Sequence, residues 1–356
     1  MNPGISRIFL FVLILLSLVS LLVIFSVAPD RLPQQTAFLL FGFAFFLYLR
    51  KQSPGVWQII SVAAYLLTIA LLLFTLIFGE SIRGSLSWIK LLGTQLQASE
   101  IAKPLLIISY AGFITKWKPS NLKNLLINAS LALLPISLIL LQPDLGTATV
   151  HFAIWLTMIL VGGITLPFVT LGLLSFVAII FSLPRFLKDY QITRLTVFLD
   201  PTADPLGAGY NVIQSMIAIG SGQILGKGLG RGTQSQLRFL PERHTDFIFA
   251  SFAEEFGLVG SIALIALFTY VLVILLALSS RVRTLYSRLV LTGVFTYLFF
   301  QTFLNIAINL GIAPVTGITL PLISSGGSSI IATFAALGIA WSCSRDLKPS
   351  MVLEIR

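Results

Sequence analysis

Leu240-Pro241-Glu242-Arg243-His244-Thr245-Asp246 closes the one long polar stretch in an otherwise apolar chain, and its contrast with its surroundings decides the fold. The stretch runs from Pro184 to Thr245 and interrupts a succession of hydrophobic runs. It holds one of the chain's two histidines, seven basic residues and a glycine cluster between Gly220 and Gly232. Long loops in compact proteins are usually either functional or disordered. Aromatic, aliphatic and turn residues are mixed here without low complexity, which argues against disorder. The chemistry is therefore sought in and beside this stretch.

Working outward, the 356 residues are 56% hydrophobic and only 10% charged, with a mean hydropathy of +0.97. Soluble domains carry about 25% charged residues, so this chain cannot cover a water-facing surface and reads as a polytopic membrane protein. Its formal charge of +10 is scattered among the flanks of the apolar runs. No basic face is formed, which excludes a nucleic-acid partner. Cys343 is the single cysteine; it has no internal disulfide partner and no metal-ligand spacing around it, and reads as a small apolar side chain in a helix. The first run, Ile8 to Val27, is long enough to span and lacks a following cleavage site, so it is expected to be retained.

Runs able to cross about 30 Å of hydrocarbon fall near 8–28, 33–49, 56–78, 101–116, 124–141, 145–162, 164–183, 247–278, 286–309 and 322–343. The expected fold is all-α, with ten transmembrane helices in a single domain over 1–356 and a large loop, 184–245, between helices 7 and 8. Pro104, Pro135 and Pro143 predict local breaks or tilts. An even number of crossings places both termini on one side. Arg7, Arg50, Lys51, Lys116, Lys118, Lys123, Arg281, Arg283, Arg288, Arg345, Lys348 and Arg356 share that side, whereas the short loops opposite carry Arg31, Arg83 and Lys90. The positive-inside rule makes the termini cytoplasmic and turns the long loop outward. No internal repeat is evident, which leans against an alternating-access transporter.

Several polar groups are candidates for chemistry. The eighth run, from Asp246, spans about 33 residues, or about 50 Å as one helix, so its first turns should project beyond the hydrocarbon or line a cavity. Asp246, Ala250, Ala253 and Glu254 follow helical spacing and would share one stripe. Asp246 is open to two compatible readings: a reacting carboxylate at membrane depth, or a charge at the helix start with Thr245 as its cap. Glu100 and Lys103 stand at i, i+3 and suit an intrahelical ion pair or direct substrate contact. Arg83 and Lys90 flank an interfacial tryptophan, Trp88, in a segment expected to lie at the outer surface, where each suits phosphate binding or snorkelling. Asp144 begins the sixth run within Gln142-Pro143-Asp144-Leu145-Gly146-Thr147 and suits a cap or a ligand contact. Ser324 belongs to a Ser/Gly-rich entry into the last run, of the kind tolerated where it lines a cavity. Gly226-Lys227-Gly228 fails the nucleotide-loop test, since Ser221 and Gly228 stand where glycine and a hydroxyl are required. Those glycines suit close backbone approach instead, and no residue set has zinc spacing.

Taken together, Ser99-Glu100-Ile101-Ala102-Lys103, Gln142-Pro143-Asp144-Leu145-Gly146-Thr147, Gly209-Tyr210-Asn211-Val212-Ile213-Gln214-Ser215, Gly232-Thr233-Gln234-Ser235-Gln236 and Leu240-Pro241-Glu242-Arg243-His244-Thr245-Asp246-Phe247 resemble the SEDS family (shape, elongation, division and sporulation). The Gly-Thr-Gln-Ser-Gln and Pro-Glu-Arg-His-Thr-Asp blocks are closer to its RodA branch than to its FtsW branch. The likeness covers roughly 83–344; one departure is Ser324-Ser325-Gly326, where the family commonly carries a tyrosine.

The resemblance implies a ten-helix peptidoglycan glycosyltransferase of the bacterial inner membrane. Such an enzyme polymerises lipid II on the outer face, beside a class B penicillin-binding protein that cross-links the product, with membrane lipid around both. It also implies that Asp246 is the essential acid and that Glu100 and Lys103 matter. On that basis Asp246 is the expected general base, with Arg243, Lys227, Arg83 and Lys103 as candidate cations for the leaving pyrophosphate. His244 and Gln214 join them as candidate substrate contacts, and Glu100, Asp144, Glu254 and Ser324 as supporting residues. No cofactor is identifiable, and a divalent cation is compatible with the chemistry. The rival readings are a lipid II flippase and a scaffold for the penicillin-binding protein.

Overall fold

The computed structural model describes residues 3–82, 85–91, 94–165, 167–170, 198–200, 204–205, 207 and 209–346. Among them the helices are α1 (Pro3–Val27), α2 (Leu32–Leu49), α3 (Pro54–Ile59), α4 (Ser61–Phe78), α5 (Ala98–Lys116), α6 (Leu122–Leu141) and α7 (Leu145–Val161). They continue with α8 (Tyr210–Gly222), α9 (Thr233–Gln236), α10 (Ile248–Arg281), α11 (Leu285–Asn309) and α12 (Gly327–Cys343). Six helical stretches are long and apolar enough to cross a membrane: Ser6–Val27, Pro29–Leu49, Ser61–Phe78, Leu122–Leu141, Ile248–Arg281 and Leu285–Asn309. α7 and α12 are apolar but shorter. Most of the expected run at 164–183, and much of the first half of the long loop, lie outside the described residues.

The centre of the bundle is α5, α11 and α12, whose faces are largely buried. α12 packs on α2 and α5, and α11 on α7 and α10. Gly338 is what lets α12 lie against α2, because a Cβ there would stand 2.9 Å from the Leu49 Cβ. The outer helices expose Leu, Ile and Phe along their outward faces, for example Phe11, Leu66 and Ile262. That pattern is favourable in hydrocarbon and costly in water.

Of the three breaks expected at prolines, the one at Pro143 falls in the turn between α6 and α7, and the other two do not occur. α5 and α6 continue through Pro104 and Pro135. The third run instead divides at Ile60, between α3 and α4, and the eighth, expected as one helix, is broken at Gly257 (φ 66°, ψ −165°). That conformation is essentially restricted to glycine. The break frees backbone groups that hydrocarbon could not satisfy, and the loop before α9 satisfies them. Lys227 N donates to Glu254 O (3.0 Å) and Gly228 N to Glu255 O (2.9 Å), while Leu258 N donates to Gln223 O (2.9 Å) and Val259 N to Ile224 O (3.1 Å). A Cβ at Gly226 would stand 2.2 Å from Glu255 O, so the glycine there permits this close approach.

The fold is also not purely α. Residues 80–97 form an antiparallel meander of β1 (Glu80–Ile82), β2 (Ser85–Leu91) and β3 (Thr94–Gln97), in that order. Trp88 pairs with Glu80 on one side and Gln97 on the other. Ser85-Leu86-Ser87-Trp88 alternates with the period of two of a strand, and Ile89-Lys90-Leu91 alternates in the opposite phase. Lys90 pairs with Glu80 across β1 and β2 at 2.7 Å in an exposed position. Leu86 N donates to Gln142 O (3.2 Å) and joins the meander to the turn between α6 and α7.

The connections gather at two ends. At one, Arg345 Nη2 donates to Lys51 O (2.7 Å) and Arg283 N to Asp346 O (2.8 Å), bringing basic loops together. At the other, Arg243 Nε donates to Val27 O (2.9 Å) and Ser325 N to His244 O (2.8 Å), beside the meander.

Candidate active site

A cavity of about 270 Å³ lies at the meander end. Its walls come from β2 and β3, the α6–α7 turn, the first turn of α8, segment 242–247, segment 315–319 and the entry to α12. Asp246 lines it, half-buried, in the turn that precedes α10. This corrects the expectation that Asp246 and Glu254 share a helical stripe, since α10 begins two residues after Asp246. It also corrects the Thr245 cap. The N-cap is Phe247, and the Thr245 Oγ1 donates instead to Glu242 Oε2 (3.0 Å). The turn is held at Glu242 (φ 53°), whose carbonyl accepts from Thr245 N (3.0 Å) and Phe247 N (3.2 Å).

Three walls fix this turn. Ser324 is buried and donates to Thr245 O (2.6 Å) while accepting from Leu320 N (2.7 Å), so the hydroxyl acts as a backbone strut. Asn305 and Asn309 of α11 each donate a side-chain N–H to Asp246 O at 2.9 Å. Gly317 (φ 74°) lies opposite the carboxylate; a Cβ there would be 3.8 Å from Asp246 Oδ2. Sequence reading missed Asn305, Asn309 and Gln301, although three amides at i, i+4 and i+8 in an apolar helix are a legible signal.

Asp144 lines the same cavity and caps α7, its Oδ1 accepting from Thr147 N at 3.0 Å. Its Oδ2 accepts from Gln97 Nε2 (3.1 Å) and Ser99 Oγ (3.3 Å), which ties β3 and α5 to the turn. Burial pushes its carboxyl above the usual carboxylate range, and the Thr147 N–H opposes that rise. Asn211 at the start of α8 reaches the cavity, whereas Gln214, one turn on, does not line it.

Glu100 and Lys103 meet one layer deeper. The Lys103 ammonium contacts the Glu100 carboxylate and Gln301 Oε1 (2.7 Å), and sits 5.1 Å from the centre of the Tyr297 ring. Gln301 Nε2 donates in turn to Thr319 O (3.0 Å) and Oγ1 (3.2 Å), and Thr319 lines the cavity. Lys103 is 1% exposed and stands behind this wall, so the structure does not bring it into contact with anything in the cavity.

The expected cations divide. Lys227 is turned away: its ammonium bonds to Glu254 Oε1 (3.0 Å) and Thr233 Oγ1 (2.8 Å). Glu254 also accepts from Gln234 N (2.9 Å), Ser235 N (3.0 Å) and Ser235 Oγ (2.9 Å), so it organises the loop instead of facing the cavity. Glu255 accepts from Gly230 N (3.2 Å) and Ser26, and it too is absent from the cavity wall. Arg243 and His244 are half-buried in the turn that carries Asp246. Arg83 lies outside the described residues, in sequence between β1 and β2. Among the described lining residues, the charged side chains are the carboxylates Asp144, Glu242 and Asp246. No group of three or more His, Cys, Asp or Glu suited to a metal ion is found among the described residues.

Comparison with known proteins adds the family. The profile of the FtsW/RodA/SpoVE group, described as "Cell cycle protein", matches residues 5–348. Peptidoglycan glycosyltransferase MrdB of Escherichia coli (strain K12) is 39% identical over 338 residues, covering 94% of this chain and 91% of MrdB. A probable peptidoglycan glycosyltransferase FtsW of Nitrosococcus halophilus is 36% identical over 332 residues, covering 88% and 84%. Among solved structures, a chain from work on the structural coordination of polymerization and crosslinking by a peptidoglycan synthase complex aligns with a TM-score of 0.82 at 32% identity, over 95% of this chain and 97% of that one. The rod shape determining protein RodA of Thermus thermophilus aligns at 0.72 and 28% identity, over 95% and 96%.

Proposed function

This chain belongs to the FtsW/RodA/SpoVE (SEDS) family and is a peptidoglycan glycosyltransferase of the bacterial inner membrane, and from that premise we propose how its residues carry the reaction. The substrate is lipid II. The Asp246 carboxylate takes the proton from the acceptor sugar's 4-hydroxyl as that oxygen forms a bond to the donor's anomeric carbon. The bond from that carbon to the lipid pyrophosphate breaks, and the pyrophosphate departs with the electron pair. Attack from the face opposite the leaving group inverts an α-linked donor to a β-linked product. The observation that carries this reading is the place of Asp246: half-buried on the cavity wall, with its backbone held by two buried amides.

The departing pyrophosphate gains charge, so cations beside it stabilise the transition state more than the ground state. Arg243, in the turn that carries Asp246, and Arg83 are assigned that work, with His244 as a substrate contact; a divalent ion accompanying the substrate would share it. Ten helices cross the membrane with both termini cytoplasmic. The support is the positive-inside rule together with the gathering of basic loops at the end away from the cavity. The cavity then opens outward, where a class B penicillin-binding protein cross-links the strand as it emerges.

Asp246→Asn tests the base. With purified, folded protein and lipid II, polymer formation should fall by about 10²–10⁴-fold; a rate near the parent's removes Asp246 from that role. Lipid translocation in vesicles without polymer would favour a flippase. A chelator arm separates metal-assisted transfer from transfer by the protein's own cations.

A further inference from the structure

Gln301, Asn305 and Asn309 stand on one face of α11, each fully buried at 0% exposure. A buried amide in an apolar bundle is costly unless its donors and acceptor are used, and the use made of these three is specific. Both Asn305 Nδ2 hydrogens are taken by carbonyls, Asp246 O at 2.9 Å and Ile318 O at 2.7 Å, while its Oδ1 has no partner among the described residues. Two carbonyl partners fix which end of the amide faces the cavity wall, because only the NH2 end can donate. Asn309 Nδ2 donates to Asp246 O (2.9 Å) and to Asn305 O (2.8 Å) within its own helix, and its Oδ1 accepts from Ala250 N (2.9 Å).

Ala250 N is one of the first-turn N–H groups of α10 that lack a helical partner. Phe247 at the N-cap has no side-chain acceptor to offer it, so Asn309 supplies the cap from another helix. Gln301, a further two turns down, joins the Lys103 ammonium to Thr319 O and Oγ1. The row therefore touches both segments that face each other across Asp246: the turn that carries it, and segment 318–319 beside Gly317, whose Cβ position lies 3.8 Å from Asp246 Oδ2.

We propose that Asn305 and Asn309, extended by Gln301, are positioning residues for the transfer reaction: they hold the Asp246 peptide carbonyl by two hydrogen bonds, and so set where the base stands relative to the opposite wall. With that carbonyl fixed, the carboxylate moves only by rotation about its own two side-chain bonds. Substrate contact is not required of these residues. A base displaced by about 1 Å loses on the order of 100-fold in rate, so the row acts on turnover and not on substrate capture. The inference rests on the reading of Asp246 as general base in lipid II polymerisation.

The discriminating variant is Asn309→Asp. The carboxylate keeps an acceptor for Ala250 N and places a negative charge at the start of α10, both of which support the helix. It loses the donor to both Asp246 O and Asn305 O and sets oxygen against oxygen. Asn305→Asp removes both of that residue's donated bonds. Polymerisation of lipid II by the full-length purified variants is read as kcat and KM, beside thermal melting of the same preparations.

The expected result for Asn309→Asp is a kcat per folded molecule reduced by about 10–100-fold, with KM within about twofold, alongside a melting temperature lowered by the newly buried charge. A kcat within about twofold of the parent overturns the inference. So does a loss of activity that disappears in both variants once the rate is expressed per folded molecule, since a merely structural role gives that outcome. A parent chain that forms no polymer, or an Asp246→Asn variant as active as the parent, instead sinks the functional reading on which the row depends.

Discussion

At the residue scale, the site separates groups that face the cavity from groups that hold it. Asp246, Asp144 and Glu242 face it; Lys103 and Glu100 lie a layer behind. Removing one member of a buried ion pair leaves the other charged and unpartnered, which costs about 3–5 kcal/mol, whereas replacing both with uncharged groups of similar size is far milder. Lys103→Met should therefore lower the melting temperature of the detergent-solubilised protein strongly. Lys103→Met combined with Glu100→Gln should recover most of that loss, and a double variant that melts no higher than the single removes the pair's structural role. The i, i+3 spacing made this contact legible in the sequence. The amide row was equally legible at i, i+4 and i+8 but was passed over, because asparagine and glutamine carry no charge to stand out against a helix otherwise read for its apolar residues. Nor could spacing show that Lys227 would be taken up by Glu254, a contact made across 27 residues of loop and helix.

At the element scale, the long polar stretch and the eighth run are parts of one device. The run is too long for a bilayer as a straight helix, and that excess was readable from its length. The position of the break was not, because Glu254-Glu255-Phe256-Gly257 is compatible with helix until the loop at 223–228 arrives to satisfy the freed carbonyls and N–H groups. Gly257→Ala should be among the most disruptive single-methyl changes in the chain. The backbone conformation alone costs on the order of 1–3 kcal/mol for a non-glycine residue, and the added Cβ would stand 2.3 Å from Gly226 N. Limited trypsin digestion should cut the variant after Lys227 or Arg231 faster than the parent; equal cleavage rates would show that the loop does not depend on the break. The meander was misread for a related reason. Its alternation is short, and in so hydrophobic a chain an interfacial tryptophan beside basic residues suggested a segment lying on the membrane surface.

At the scale of the whole molecule, the apolar runs carried the mostly helical, membrane-spanning architecture, and the partners of each polar group emerged only from the three-dimensional packing. The orientation is open to direct measurement because Cys343 is fully buried and Arg231 and Lys118 are exposed. In intact spheroplasts, a membrane-impermeant maleimide should label Arg231→Cys. Lys118→Cys should be labelled only after permeabilisation, and the reverse pattern would invert the assigned orientation.

The distribution of the cavity's walls along the chain bears on biogenesis. Trp88, Asp144, Asn211, Asp246 and Gly317 are contributed in turn, and Ser325 to Ser329 complete the enclosure just as α12 begins. A nascent chain threaded into the bilayer from its N-terminus therefore has no finished chamber until α12, the last of the described helices, leaves the ribosome. The enclosure is thus among the last features of the described fold to be completed.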